Sequence, residues 1–192
     1  MKNILKLFAV VAMVAALATS CSKSDPATPP TPPAPGDDIT PGTVEIRFRC
    51  GGDFTKLAKM NIQFVGNGET ISLTEDDLVA KESSYTDAMT GIVYNFDHES
   101  VLTMNVATLP ASFTYGIAFA AKEGVDTASK YDVCHAITFT YRDKNGKTIS
   151  KSIPNKALSI GIKGDKLDQW FSTMSNTYKS REYTVSTVGK VE

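Results

Sequence analysis

The residue types that most often do chemistry in proteins are scarce in this sequence. The chain contains only two His and three Cys. One segment, Asp97-His98-Glu99, places three side chains that can bind a metal ion next to one another. In an extended segment His98 would point away from the two carboxylates, because neighbouring side chains of a strand alternate between its faces. We therefore expect the polar end of a strand there, and no metal site.

The sequence also lacks the arrangements typical of enzymes. It contains no Ser-His-Asp spacing, no Gly-x-Ser-x-Gly turn and no glycine-rich loop of the kind that binds phosphate. Catalysis needs several titratable groups that converge on one site. We therefore expect a protein that is not an enzyme, has no catalytic residues and uses no cofactor.

Two cysteines, Cys50 and Cys134, fall in segments predicted to be strands. The alternation of apolar and polar residues predicts that both face the core, and that His135 points away from it. The N-terminal segment described below would direct the chain out of the cytoplasm, where disulfides persist. Two alternatives are open: a disulfide between Cys50 and Cys134, or two separate buried thiols.

The overall charge excludes one class of partner. Lys and Arg number 20 against 21 Asp and Glu, so the net charge is -1. A protein that binds nucleic acid through bulk charge needs an excess of basic residues, and we therefore expect no nucleic-acid partner. The only long apolar run lies at the N-terminus, which argues against several membrane spans.

Residues 1–20 have the features of a secretory signal peptide. Lys2 and Lys6 precede an apolar run, residues 7–18, that is too short to cross a bilayer, and small residues follow it. Residues 17–21, Leu-Ala-Thr-Ser-Cys, resemble the lipobox of bacterial lipoproteins, in the looser form common in the Bacteroidetes group. The family usually has Leu where Ala18 stands. The resemblance implies cleavage before Cys21 and a lipid on Cys21; the alternative is an ordinary signal cut near Ala18.

The same resemblance implies a location. Ser22 is not the Asp that commonly retains lipoproteins at the inner membrane, so we expect a lipid anchor in the outer membrane. Lipoproteins of this group that face the exterior resemble one another in an acidic cluster close to the acylated Cys. Residues 22–25 offer one Asp and one opposing Lys. Periplasmic and cell-surface orientations therefore both remain open.

Residues 21–42 predict an extended tether. Seven of the nine prolines lie between positions 26 and 41. Proline fixes φ and removes a hydrogen-bond donor, so a proline-rich segment without large apolar residues favours polyproline II over packed structure. We expect this segment to hold a folded domain, residues 43–192, away from the membrane.

Residues 43–192 predict one mainly β domain. Short segments of alternating polarity, separated by turn residues, indicate strands at 44–50, 60–64, 70–73, 92–96, 101–107, 113–121, 134–141, 148–153 and 183–187. Two short helices are expected, one from Thr74 to about Lys81 and one over 165–175. This pattern predicts a single antiparallel β-sandwich, immunoglobulin-like in arrangement. Signal, lipobox, proline-rich tether and sandwich together resemble many Bacteroidetes lipoproteins.

A short motif marks a candidate modification site. Asp126-Thr127-Ala128 resembles the pattern of O-glycosylation in exported Bacteroidetes proteins, and it lies in a polar stretch between two predicted strands. The resemblance implies that Thr127 carries a glycan; the alternative is an unmodified surface loop.

Three classes of function remain. We favour a non-catalytic binding or adhesion module, whose partner would be a glycan or an envelope protein. Exposed aromatic residues in a groove would support this class. The second class is a structural or accessory subunit of an envelope complex, which a long unpaired edge strand or a large apolar patch would support. The third is a hydrolase, which would need carboxylates that converge in a cleft.

Overall fold

A computed structural model describes residues 41–177, 181–186 and 191 of the chain. The predicted signal peptide, Cys21 and nearly all of the predicted tether lie outside the described residues. The first strand begins at Gly42, one residue before the predicted start of the domain.

The described residues form nine strands in two antiparallel sheets. The strands are β1 (Gly42–Gly52), β2 (Ala58–Gly66), β3 (Glu69–Thr74), β4 (Val79–Thr86), β5 (Val93–Val106), β6 (Ala111–Ala121), β7 (Lys130–Asp143), β8 (Thr148–Lys163) and β9 (Arg181–Val185). One sheet has the order β4-β5-β1-β7-β8 and the other the order β3-β2-β6-β9. The predicted fold class, a mainly β antiparallel sandwich with short helices, is confirmed.

The main core lies between the two sheets. Val44, Ile46, Phe48 and Cys50 of β1 alternate with charged residues and are buried in it. Buried side chains of β2, β6 and β7 complete this core. The alternation of two residues that predicted these strands is therefore also the spacing of their core-facing side chains.

The helices are short. They are α1 (Phe54–Leu57) and α2 (Leu167–Thr177), and α2 buries Leu167 and Phe171 as its apolar stripe predicted. The helix expected from Thr74 is only a 3-10 turn, Glu75–Asp77, because β4 begins two residues later. Its predicted cap is present, since the Thr74 backbone N–H donates to Asp77 Oδ2 at 2.7 Å. Among the described residues, no helix is long and apolar enough to cross a membrane.

Strand β7 corrects two predictions about which residues face the core. In the ladder Cys50 lies opposite His135, and Gly51 lies opposite Cys134. Directly paired residues share a face of the sheet, so His135 faces the core with Cys50 and Cys134 faces outward. Both predicted orientations were therefore wrong, because the residue of β7 that faces the core is His135, one position after Cys134.

The β4–β5 hairpin also differs from prediction. The two strands expected at 92–96 and 101–107 are one continuous strand, and the sequence did not indicate β4 at all. Around the turn, residues 82–97 leave the edge of the sheet and lie across its outer face. We call residues 82–97 the hairpin arm.

Contacts with β7 and β8 show where the hairpin arm lies. Tyr94 and Phe96 pack on Cys134 and Ala136 of β7, and together they form a second small apolar cluster. The Cys134 thiol donates to the Asn95 carbonyl oxygen at 3.0 Å. A side chain at Gly51 would collide with this same carbonyl, so glycine permits the close crossing.

Candidate functional site

An open groove lies where the hairpin arm bends away from the sheet. Its volume is about 470 Å³, and its lining consists of Gly52, Glu82, Ser83, Ser84, Asn95, Phe96 and Asp97. A groove of this volume is large enough for a small ligand. Because five of these residues are carboxylates, hydroxyls or amides, the site offers hydrogen bonds more than apolar surface.

A β-bulge forms one wall of the groove. Ala80 pairs with His98 and Ser83 pairs with Phe96, so two residues of β4, Lys81 and Glu82, stand against one residue of β5, Asp97. A bulge bends its strand and redirects side chains. Here Lys81 turns to Glu99, with Nζ 2.6 Å from Oε1, while Glu82 lines the groove.

A buried arginine supports the floor of the groove. The Arg49 guanidinium carbon lies 4.5 Å above the centre of the Phe96 ring, which is the geometry of a cation–π contact. Tyr94 stacks beside Phe96 with ring centres 6.4 Å apart. The pKa of Arg49 is lowered mainly by burial and also by the nearby positive charge of Arg47. These contacts hold Phe96 in place under the polar lining.

Several polar groups of the lining are available to a ligand. Ser84 and Asn95 are exposed, whereas Ser83 Oγ is shielded from solvent and lies out of a ligand's reach. Asp97 Oδ1 lies 2.8 Å from His98 Nδ1, which orients that carboxylate. Glu82 is exposed and makes no ion pair with any described residue. The groove therefore combines acceptors and donors that the protein itself satisfies only in part.

Basic side chains near the groove are engaged elsewhere. Glu99 lies outside the groove and receives Lys81 at 2.6 Å and Arg47 at 2.7 Å. Burial works against the ionised form of Glu99, but the hydrogen bonds from Lys81 and Arg47 outweigh it and lower the pKa of this carboxyl. The groove itself is lined by carboxylates and no basic residue.

The two cysteines of the domain are free thiols in the structure, which is the second of the two alternatives. They lie in neighbouring strands but on opposite faces of the sheet, and this placement does not suit a bridge. Burial raises the pKa of Cys50 beyond its usual range, and burial raises the pKa of Cys134 to about 11.

The remaining candidate residues do not form a chemical site. Thr127 is exposed in a turn where Asp126 accepts hydrogen bonds from Ala128 N and Ser129 Oγ. Thr127 is thus accessible, and its O-glycosylation stays a prediction. Asp97 and Glu99 point to different partners, and no group of three or more potential ligands in the described part of the chain could hold a metal ion.

No sequence pattern brings the groove residues together. Glu82, Ser83 and Ser84 belong to a strand with almost no apolar alternation. Asn95 lies within a predicted strand, and Asp97 stands out only as a metal-ligand candidate that the alternation of a strand argues against. Only a bulge and a folded-over hairpin bring them together, and neither has a signal in this sequence. Comparison of the chain with protein-family models, with curated proteins and with solved structures found no match.

Proposed function

We propose that this protein is a lipid-anchored, non-catalytic binding module of the outer membrane, and that the groove beside the hairpin arm is its binding site. The observation that carries the proposal is the groove itself, in which a bulge and a crossing hairpin bring five polar residues to the lining of an open space of about 470 Å³. The resemblance of residues 17–21 to a lipobox supports the anchor, and the proline-rich tether would hold the site away from the membrane.

The edges of the five-stranded sheet favour a binding module over a subunit that assembles by adding strands. The longest edge strand, β8, carries Pro154, three Lys and three register shifts. The opposite edge, β4, carries Lys81 and the bulge. Lysine, proline and bulges are the features that block pairing between sheet edges. Exposed apolar side chains near the tip of the hairpin arm fit the subunit class instead: they are Met89, which is 97% exposed, Ile92 and Val93.

A blocked groove tests the proposal. Ser84→Trp would place a large ring in the groove, and Ser72→Trp, at an exposed position of edge strand β3, is the matched control. Both variants and the natural chain are used to capture glycans and envelope proteins from cell-envelope extracts. We expect Ser84→Trp to abolish capture of the specific ligand and Ser72→Trp to retain it. Equal capture by the two variants would contradict the groove as the binding site.

A second candidate function rests on the two carboxylates of the groove. Glu82 and Asp97 line the same cleft, and a pair of carboxylates flanking a sugar bond is the basis of glycoside hydrolysis. The measurement that separates this candidate is release of reducing sugar from envelope glycans. Release by the natural chain that is lost in both Glu82→Gln and Asp97→Asn would favour a hydrolase over a binding module.

A further inference from the structure

We infer that the groove takes a neutral, hydroxyl-rich ligand, that is, a glycan without charged groups, with Glu82 and Asp97 as acceptors for its hydroxyls. This inference rests on the proposed function, since it names the ligand class of the same site.

The lining can both accept and donate hydrogen bonds. Glu82 and Asp97, when ionised, only accept, whereas the Asn95 amide and the Ser84 hydroxyl can also donate. A sugar hydroxyl satisfies both kinds of group, because it is a donor and an acceptor at once. An ammonium group can donate to the carboxylates but cannot accept from Asn95 or Ser84. The mixed lining therefore favours hydroxyls over a simple cation.

Charge and apolar area exclude two other ligand classes. An anionic ligand would meet Glu82 and Asp97 without a basic residue in the lining, and like charges repel. An apolar ligand would find one aromatic ring, Phe96, which is buried and covered by Arg49 and Tyr94. Recognition through stacking on Phe96 is therefore blocked, and recognition through hydrogen bonds remains.

The test is a titration of the full-length lipidated chain in a detergent without a sugar headgroup. Its probes are panels of neutral oligosaccharides, of sulfated or uronate oligosaccharides, and of cationic deacetylated amino-sugar oligosaccharides. We expect binding of neutral members, with affinity that changes little between about 0.05 and 0.5 M salt, because no net charge pairs with the ligand. Glu82→Gln should weaken binding about tenfold, since it removes a charged acceptor.

The control is Glu69→Gln, an exposed carboxylate on β3 of the other sheet, and it should leave the affinity unchanged. Preference for the cationic panel with a steep salt dependence would overturn the ligand class and leave the groove as a binding site. Loss of a captured protein in Ser84→Trp, with no glycan bound, would do the same. Binding of neutral glycans unchanged by both Glu82→Gln and Ser84→Trp would overturn this inference and the proposed site together.

Discussion

Asp87 and Lys156 form an ion pair that joins the tip of the hairpin arm to the far edge of the five-stranded sheet. Strands β1 and β7 lie between β5 and β8 in that sheet, so the pair exists only because the arm crosses the outer face. Asp87 also accepts the backbone N–H groups of Met89 at 2.9 Å and Thr90 at 3.0 Å. The same carboxylate therefore closes the turn and fastens the arm that forms the groove.

We predict that Lys156→Met destabilises the protein by about 2 kcal/mol, because it leaves the Asp87 carboxylate buried without its cation. The Asp87 side chain is only 5% exposed, so water cannot replace the lysine. Unfolding in urea measures the loss. Limited proteolysis should also show earlier cleavage within the hairpin arm, since the arm would detach before the sandwich unfolds.

Lys151→Met is the matched control, because Lys151 lies on the same strand and is exposed. Its unfolding free energy should stay within about 0.5 kcal/mol of the natural value. If the two methionine variants lose the same stability, or if both resist protease like the natural chain, the ion pair does not hold the arm.

The alternation of residues predicted the sandwich but misassigned one side of β7. Ile137, Phe139 and Tyr141 are buried in the core, and stepping back by two from Ile137 reaches His135. The polarity of the histidine and the apolar character of Cys134 suggested the reverse. In the structure a buried partner, Asn155 on β8, lies 3.1 Å from His135 Nε2 and makes the inward orientation acceptable. A partner on another strand cannot be read from one strand's own pattern.

The hairpin arm, and with it the groove, could not be predicted for a different reason. An edge strand such as β4 buries little, so its residues show no regular polarity. The crossing depends on Gly51, whose missing side chain admits the Asn95 carbonyl, and on the distant pair of Asp87 with Lys156. These contacts join positions far apart in sequence. The sequence pattern therefore predicts the core strands but does not predict the groove.

His135 predicts a loss of stability in acid. Its ring is buried among aromatic rings, with centres 5.2 Å from Phe119 and 6.0 Å from Trp170, and burial lowers its pKa from 6.5 to about 4. Between these two pKa values the unfolded chain binds a proton at His135 that the folded chain does not bind. The contribution of His135 to the free energy of unfolding is fully present above pH 6.5 and is lost as the pH falls to about 4. The loss is about 3 kcal/mol.

Urea unfolding at several pH values checks this expectation. His135→Phe keeps an aromatic ring in the site but cannot be protonated, so its stability should fall less between neutral pH and the folded pKa of about 4. Parallel pH profiles for His135→Phe and the natural chain would rule out His135 as the cause.

Cys50 and Cys134 should be unreactive in the folded protein and reactive once it unfolds. Both thiols are buried, and burial raises the pKa of Cys134 to about 11, so little thiolate exists at neutral pH. A thiol reagent should modify neither residue in the native chain and both in denaturant without reductant. Cys134→Ser should reduce the count by one. Peptide mapping that finds Cys50 joined to Cys134 in the unreduced protein would contradict the free thiols of the structure.

Lipidation of Cys21 is the prediction on which the location depends, and it lies outside the described residues. If residues 1–20 are a lipoprotein signal, cells that express the natural chain should incorporate labelled palmitate into it, and Cys21→Ala should abolish the label. Ser20→Ala keeps a small residue before the cysteine and should retain the label. Because acyl chains supply the membrane affinity, Cys21→Ala should also leave the outer-membrane fraction. Equal labelling of the natural chain and Cys21→Ala would refute the lipid anchor and leave an ordinary secretory signal.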